Sequence, residues 1–201
     1  MSEKTVYLDN NATTMVDPQV FEAMKPYFCD LYGNPSSMHE FGGQVMHAVD
    51  KAREQVKDFL GARDAKEIIY TASGSEGDNM AIRGVLEANK NKKHIITTKI
   101  EHPAVLNVYK YLEKQGYDVT YLDVDSKGNL DLNQLAESIT DETALVSIMY
   151  ANNETGVILP VEKAAKIVKA KNPKIKFHSD AVQAAGKIPL DVKNTDIDLL
   201  T

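Results

Sequence analysis

The sequence predicts an α/β fold with a largely parallel central sheet, on three observations. Apolar runs of strand length recur along the chain, at Ile95-Ile-Thr-Thr98, Leu145-Val-Ser-Ile-Met149 and Ile175 to Ser179. Between them lie stretches whose apolar residues fall at three- and four-residue steps, the spacing of one helix face. Strands and helices therefore alternate, and that alternation implies crossover connections between parallel strands.

Taken in order, the chain leads from Thr5 to Leu8 into a helix opening at Asp17-Pro18, where an acid followed by proline is a strong start signal. Val45, Ala48, Val49, Ala52, Val56, Phe59 and Leu60 then mark a longer helix that stops at Gly61. Ile68, Ile69 and Tyr70 predict a strand over 67–71, followed by a helix over 75–90 carrying Met80, Ala81, Val85 and Leu86. The remaining pattern predicts strand 94–98, helix 103–115, strand 118–123, helix 131–138, strand 143–149, helix 160–171 and strand 175–179. Asp196-Ile-Asp-Leu-Leu-Thr201 reads as the start of another buried strand, from which a longer protein is expected. There is no internal repeat, low-complexity tract or linker.

With 201 residues, 43% hydrophobic and 26% charged, the chain has the composition of a globule that buries an ample core. Its net charge of −6 and the lack of a basic block interleaved with aromatics argue against a nucleic-acid partner. No apolar run reaches the length of a membrane span, and Met1-Ser-Glu-Lys4 lacks the apolar core of a signal peptide. The single cysteine, Cys29, forbids an internal disulfide framework and fits a reducing compartment, so a cytoplasmic location is expected. Its neighbours Tyr27, Phe28, Leu31 and Tyr32 suggest a thiol half-packed on a helix's apolar side rather than a reactive one.

Chemistry-bearing residues cluster where strands end. In His178-Ser-Asp180-Ala-Val-Gln183 an apolar run delivers a carboxylate and an amide, three residues apart, to one sheet edge. Asp180 suits a protonated ring nitrogen, and Gln183 would share its face if the chain turns helical after Asp180; pyridoxal phosphate is a ring with those features. Asp180 equally reads as the cap of a helix starting at Ala181. Upstream, Ser73-Gly-Ser-Glu76 joins the strand pattern to a helix start, where the amides of Gly74 and Ser75, the Ser75 hydroxyl and the helix dipole would favour a phosphate. Ser-Gly-Ser is also ordinary capping chemistry, and the run is neither a Walker loop nor G-x-G-x-x-G.

Glu101-His102-Pro103 follows strand 94–98, and Asn152-Asn-Glu-Thr-Gly156 follows strand 143–149. Both loops fall at the carboxyl edge where open α/β sheets bind ligands, although a helix-start histidine and a plain turn are the alternative readings. His178 and Asp180 form an H-x-D pair, but His39, His47 and His94 bring no further donors at ligand spacing, so no metal site is expected.

Leu8-Asp-Asn-Asn-Ala-Thr-Thr14, Gly33-Asn-Pro-Ser-Ser37, Ser73-Gly-Ser-Glu76, Glu101-His102, Ala151-Asn-Asn-Glu-Thr-Gly156 and Asp180-Ala-Val-Gln183 occur in the order found in the NifS/IscS class of cysteine desulfurases. The chain resembles that family over essentially its whole length. The resemblance implies the large domain of a fold-type I pyridoxal phosphate enzyme (class V aminotransferase family), with a mainly parallel sheet flanked by helices on both faces. It divides the chain into an N-terminal arm over 1–15 and most of the cofactor-binding large domain over 16–201, the small domain being absent. The implied activity removes sulfur from L-cysteine, gives L-alanine and holds the sulfur as a persulfide for iron–sulfur cluster assembly or another sulfur-transfer pathway. A homodimer and an iron–sulfur scaffold or other acceptor protein are the implied partners.

By position, Gly74 and Ser75 correspond to phosphate binders, His102 to the imidazole stacked on the ring, Asn153 and Gln183 to contacts on the ring-oxygen side, and Asp180 to the partner of the ring nitrogen. Family members often carry Gly, then Ala or Gly, then Thr in the phosphate turn; here Ser73-Gly74-Ser75 keeps the hydroxyl donor. The family's Schiff-base lysine is expected on the order of five residues beyond Thr201, and its persulfide cysteine farther downstream. Lys187, after Gly186, reads as a solvated turn lysine and does not replace the former. Residues 1–201 alone are therefore expected to be inactive. A related selenocysteine lyase or aminotransferase, and a non-catalytic module with the same fold, are the alternatives.

Overall fold

The computed structural model describes residues 5–201, and the chain divides into two compact units, Met1–Ile68 and Ile69–Thr201. In the first unit, helix α1 spans Pro18–Met24, with the Asp17 carboxylate accepting from Gln19 N at 2.7 Å and Pro18 at the first helical position. Helix α2 spans Pro26–Cys29. Helix α3 spans Glu40–Leu60 and ends where Gly61 adopts φ 71°, a left-handed stop that a side chain would resist. A 3-10 turn over Ala65–Glu67 closes the unit. Cys29 is exposed, contrary to the half-packed position expected, because four-residue α2 buries none of its side chains.

The second unit holds helices α4 (Gly74–Ala88), α5 (Pro103–Lys114), α6 (Leu132–Ser138) and α7 (Val161–Lys171). Its strands are β1 (His94–Thr98), β2 (Asp118–Leu122), β3 (Thr143–Ser147), β4 (Lys176–Ser179) and β5 (Leu199–Leu200). All pairings are parallel, in the order β2-β1-β3-β4-β5. Successive residues face opposite sides of the sheet. Ile95 and Leu145 meet Ile82, Val85 and Leu86 of α4 and Val105, Val108 and Tyr109 of α5. Ile96, Val146 and Phe177 meet Leu135 of α6 and Val161, Ala164 and Val168 of α7. Helices thus cover both faces, which is why β1, β3 and β4 are buried almost throughout.

One predicted element differs, and the helical turn on which the Gln183 reading depends is not formed. Residues 67–71 join no ladder: the Ile68 N–H bonds Ala65 O at 3.1 Å, its carbonyl accepts from the Arg53 guanidinium, and Ile69 and Tyr70 are 66% and 51% exposed. Apolar β-formers make a strand only where a neighbour supplies the other half of the hydrogen bonds. After Asp180 the chain forms consecutive turns over 182–187 rather than a helix, and Gly186 at φ 77° ends them. Within these turns Ala184 N bonds Ala181 O at 2.8 Å and Ile188 N bonds Ala184 O at 3.0 Å. The expected terminal strand is present as β5, its Leu199 in register with His178.

The connection from β1 to β2 runs toward one edge of the sheet, and the chain then crosses back to place β3 on the other side of β1. Such a reversal, between the carboxyl ends of β1 and β3, is where open α/β sheets form a ligand crevice. No described helix is long and apolar enough to cross a membrane.

Candidate functional site

The loops at this crevice are built by local bonds. Ser73 caps α4, its hydroxyl accepting from Glu76 N at 3.2 Å, while the Glu76 carboxylate reaches back to Ala72 N. This near-relative of the capping box leaves the amides of Gly74 and Ser75 at the helix end, where intrahelical acceptors run out and the dipole is positive. Ser75 is exposed, and its carbonyl takes the Asn79 side-chain amide at 2.9 Å. A Cβ on Gly74 would lie 2.8 Å from Val182 Cγ2, so glycine lets the helix start approach the segment after Asp180.

His102 caps α5, with Nδ1 accepting from Ala104 N at 3.1 Å and the ring left exposed. Asp180 is 6% exposed; its Oδ1 accepts from Val182 N at 3.0 Å, and its backbone carbonyl accepts from Tyr150 N at 2.7 Å. Burial raises its pKa, an effect countered by the Val182 amide and by His102, which therefore lies within electrostatic reach. Asn152 and Asn153 part company. Buried Asn152 donates to Ile100 O at 2.9 Å and accepts from Glu154 N and Thr155 N at 3.0 and 2.9 Å, joining the β3 loop to the β1 loop. Asn153 is half-buried and donates to Glu154 Oε1 at 2.9 Å. Gln183, also half-buried, accepts from the Lys187 ammonium, and Lys187 itself is exposed.

Gly74, Ser75, His102, Asn153, Asp180 and Gln183 thus all lie in the Ile69–Thr201 unit, His102, Asn153, Asp180 and Gln183 on segments leaving strands β1, β3 and β4, and Gly74 and Ser75 at the α4 start. The turns after Asp180 replace the helical spacing expected for Gln183, so its side chain is placed by the 182–187 turns and by Lys187.

The sequence reading assigned nothing to the acids beneath these loops. Glu101 is 4% exposed; its Oε1 accepts from Thr98 Oγ1 at 2.7 Å and Met149 N at 2.8 Å, while Oε2 has no hydrogen bond among the described residues. Burial pushes its pKa up to about 8, with Asp180 and Asp78 adding repulsion. Asp78, on α4, is 1% exposed and raised to about 7 by burial and by Asp180. The available signal was periodicity: Asp78 occupies the apolar stripe that continues through Ile82, Val85 and Leu86.

A helix start with free-ended amides, an exposed imidazole and a buried carboxylate thus lie on one edge of the sheet. The family model described as aminotransferase class-V matches residues 6–201. A cysteine desulfurase of Nostoc sp. is 62% identical over 196 residues, covering 98% of this chain and 48% of that protein. The cysteine desulfurase NifS of Azotobacter vinelandii is 50% identical over 196 residues, again 98% of this chain and 48% of that protein. Among solved structures, a NifS-like protein superposes with a TM-score of 0.94 at 44% identity, covering 98% of this chain and 54% of its own. SspA in complex with cysteine gives a TM-score of 0.91 at 39% identity, with 98% and 57% covered. This chain spans about half the length of the curated relatives it matches. Over nearly its whole length, the chain belongs to the class-V aminotransferase family.

Proposed function

We propose that the intact protein is a pyridoxal-phosphate-dependent cysteine desulfurase, taking L-cysteine to L-alanine. The observation that carries this reading is the convergence of the α4 start, His102 and buried Asp180 on the crevice of one sheet edge. The donor set fits the cofactor: Gly74 and Ser75 offer amides and a hydroxyl to a phosphate, and the close approach of Val182 to Gly74 leaves no room there for a side chain. Asp180, largely withdrawn from water, would face the ring nitrogen and hold a proton on it. His102 would cover one ring face and exclude water, and Asn153 and Gln183 would meet the ring-oxygen side. When bound, pyridoxal phosphate supplies an electron sink for the substrate's α-carbon.

The sulfur of L-cysteine would pass to a thiolate of the enzyme, forming a persulfide as the carbon–sulfur bond breaks and the carbon skeleton leaves as L-alanine. That thiol and the cofactor-linking lysine would come from the part of the family's length that this chain does not span. A homodimer, a cytoplasmic location and delivery to an iron–sulfur scaffold or other sulfur-acceptor protein complete the reading.

The test is titration of the intact apo-protein with pyridoxal phosphate, followed by ring absorbance, beside an assay of L-cysteine for sulfide and L-alanine. Saturable binding with equal yields of both products is expected. Binding without desulfuration would refute the activity, and absence of binding would refute the site.

A further inference from the structure

Beneath the crevice, helix α4 is strapped to the strand that carries Asp180. Asp78 lies one turn inside α4 from Ser75, and its Oδ1 is 3.6 Å from His178 Nε2, too long for a hydrogen bond. Thr201 lies beside His178, its Oγ1 2.9 Å from His178 Nε2, and its hydroxyl helps to hold down the pKa of Asp78 against burial. His178 Nδ1 is 2.8 Å from Ser147 Oγ, so the imidazole is held from both sides within the sheet. The α4 backbone is close here as well, since a Cβ on Gly77 would lie 2.8 Å from Thr201 Cγ2. His178, in β4, is two residues before Asp180, which follows the strand, and is wholly buried.

We infer, building on the cofactor reading above, that Asp78 is a positioning residue: through Thr201 and His178 it fixes the α4 phosphate end against Asp180, and its charge reinforces the hold of Asp180 on a protonated ring. Asp78 Oδ1 has no hydrogen-bond partner among the described residues, although the side chain is 1% exposed. A carboxylate left so in a well-packed interior is costly unless a nearby cation repays it. Among the described residues, the titratable groups facing it include no such cation. His178 is neutral, its pKa lowered by burial to about 4, while Asp180 and Glu101 are acids. On the adjoining α5, Tyr109 turns its hydroxyl to Ile96 O at 3.3 Å. A positively charged ring at Asp180 would be the missing partner. With Asp78 raised to about 7, its charge appears within the range in which the protein can be handled.

The experiment compares pyridoxal phosphate dissociation constants of the intact wild-type protein and Asp78→Asn, at about pH 5.5 and about pH 8.5. The cofactor's own titrations are common to both proteins and cancel in the ratio. Expected is near-equal affinity at the lower pH and, at the higher, on the order of fivefold weaker binding by the variant. A ratio that is equal at the two pH values, including uniform weakening from lost packing, overturns the inference. Carboxyl 13C NMR on the wild type gives a second measurement that does not depend on the variant folding. Cofactor binding should lower the titration midpoint of Asp78, because linkage is reciprocal, and an unmoved midpoint overturns the inference as well. If the wild type binds no pyridoxal phosphate, the cofactor reading falls and takes this inference with it. Binding with a flat ratio removes this inference alone.

Discussion

Glu101→Gln should flatten part of the protein's pH–stability profile. The Glu101 side chain accepts from Thr98 Oγ1 and Met149 N through one oxygen, tying the end of β1 to the end of β3 next to His102. Glutamine keeps that acceptor and its volume but cannot ionise. Burial raises the glutamate from its ordinary 4.5 to about 8, so at neutral pH the folded protein holds a proton that the unfolded chain has released. The sign follows from linkage. A carboxyl whose folded pKa lies above its unfolded value contributes full stability below about 4.5, and loses about 1.4 kcal/mol per pH unit as pH rises toward about 8. Across that window the loss is at most about 5 kcal/mol. Asp78 adds a slope of the same sign from 3.8 to about 7, but it is present in both proteins and largely cancels in the difference.

The assay is urea unfolding of wild type and Glu101→Gln at steps between about pH 5 and about pH 8.5, read as the difference in unfolding free energy. The variant should gain on the wild type steadily as pH rises and level off near the top of the range. A difference independent of pH would show that Glu101 titrates near its ordinary value, and would remove the argument that this acid is held neutral beside His102.

Three further outcomes are expected. Ser75→Ala should weaken cofactor affinity by about 1 to 3 kcal/mol, on the order of five- to a hundredfold, with little change in turnover per bound cofactor; unchanged affinity in an absorbance titration would place the phosphate elsewhere. Asp180→Ala should abolish L-cysteine turnover while cofactor binding stays measurable through the α4 start, and wild-type turnover by this variant would refute the carboxylate's role. A polypeptide of residues 1–201 should release no sulfide from L-cysteine and carry no borohydride-fixable cofactor; peptide mass mapping that finds stoichiometric labelling of one of its lysines, with activity, would show that the cofactor-linking position is misassigned.

What the sequence revealed and what it hid divide along a physical line. Helix α3 is legible because its apolar steps and Gly61 lie within one segment, and β1, β3 and β4 because strands covered on both faces centre on large apolar residues, Ile95 and Ile96, Leu145 and Val146, and Phe177. The segment 67–71 has the same composition, but a strand is completed by its neighbour, which no local pattern encodes. Whether the chain turns helical after Asp180 stays open in the sequence because Ala181, Val182 and Gln183 allow either, while the Asp180 cap and Gly186 go with turns. Asp180 and His102 are legible because their motifs follow strands, and the Ser73-Gly74-Ser75 turn because it opens a helix. Asp78 and Glu101 could not, since a carboxylate in a short motif looks solvated until distant elements close over it.

The two edges of the sheet treat buried polar groups differently. At the amino end, His94 is enclosed with Nδ1 2.7 Å from Thr143 Oγ1 and Nε2 2.9 Å from Thr120 Oγ1, so both ring nitrogens are satisfied across three strands. Such a group staples the sheet and needs nothing further. Toward the carboxyl end, Thr97 Oγ1, Asp78 Oδ1 and Glu101 Oε2 are buried without a hydrogen bond among the described residues, and three acids crowd within electrostatic reach of one another. Apolar side chains of similar volume would pack there at lower cost. Among the described residues, stability therefore does not explain the second arrangement. A ligand that brings positive charge to Asp180 and an anion to the α4 start would offset the cost of these acids only when bound, and the strain lies on the edge where the strand order reverses and such a ligand would sit.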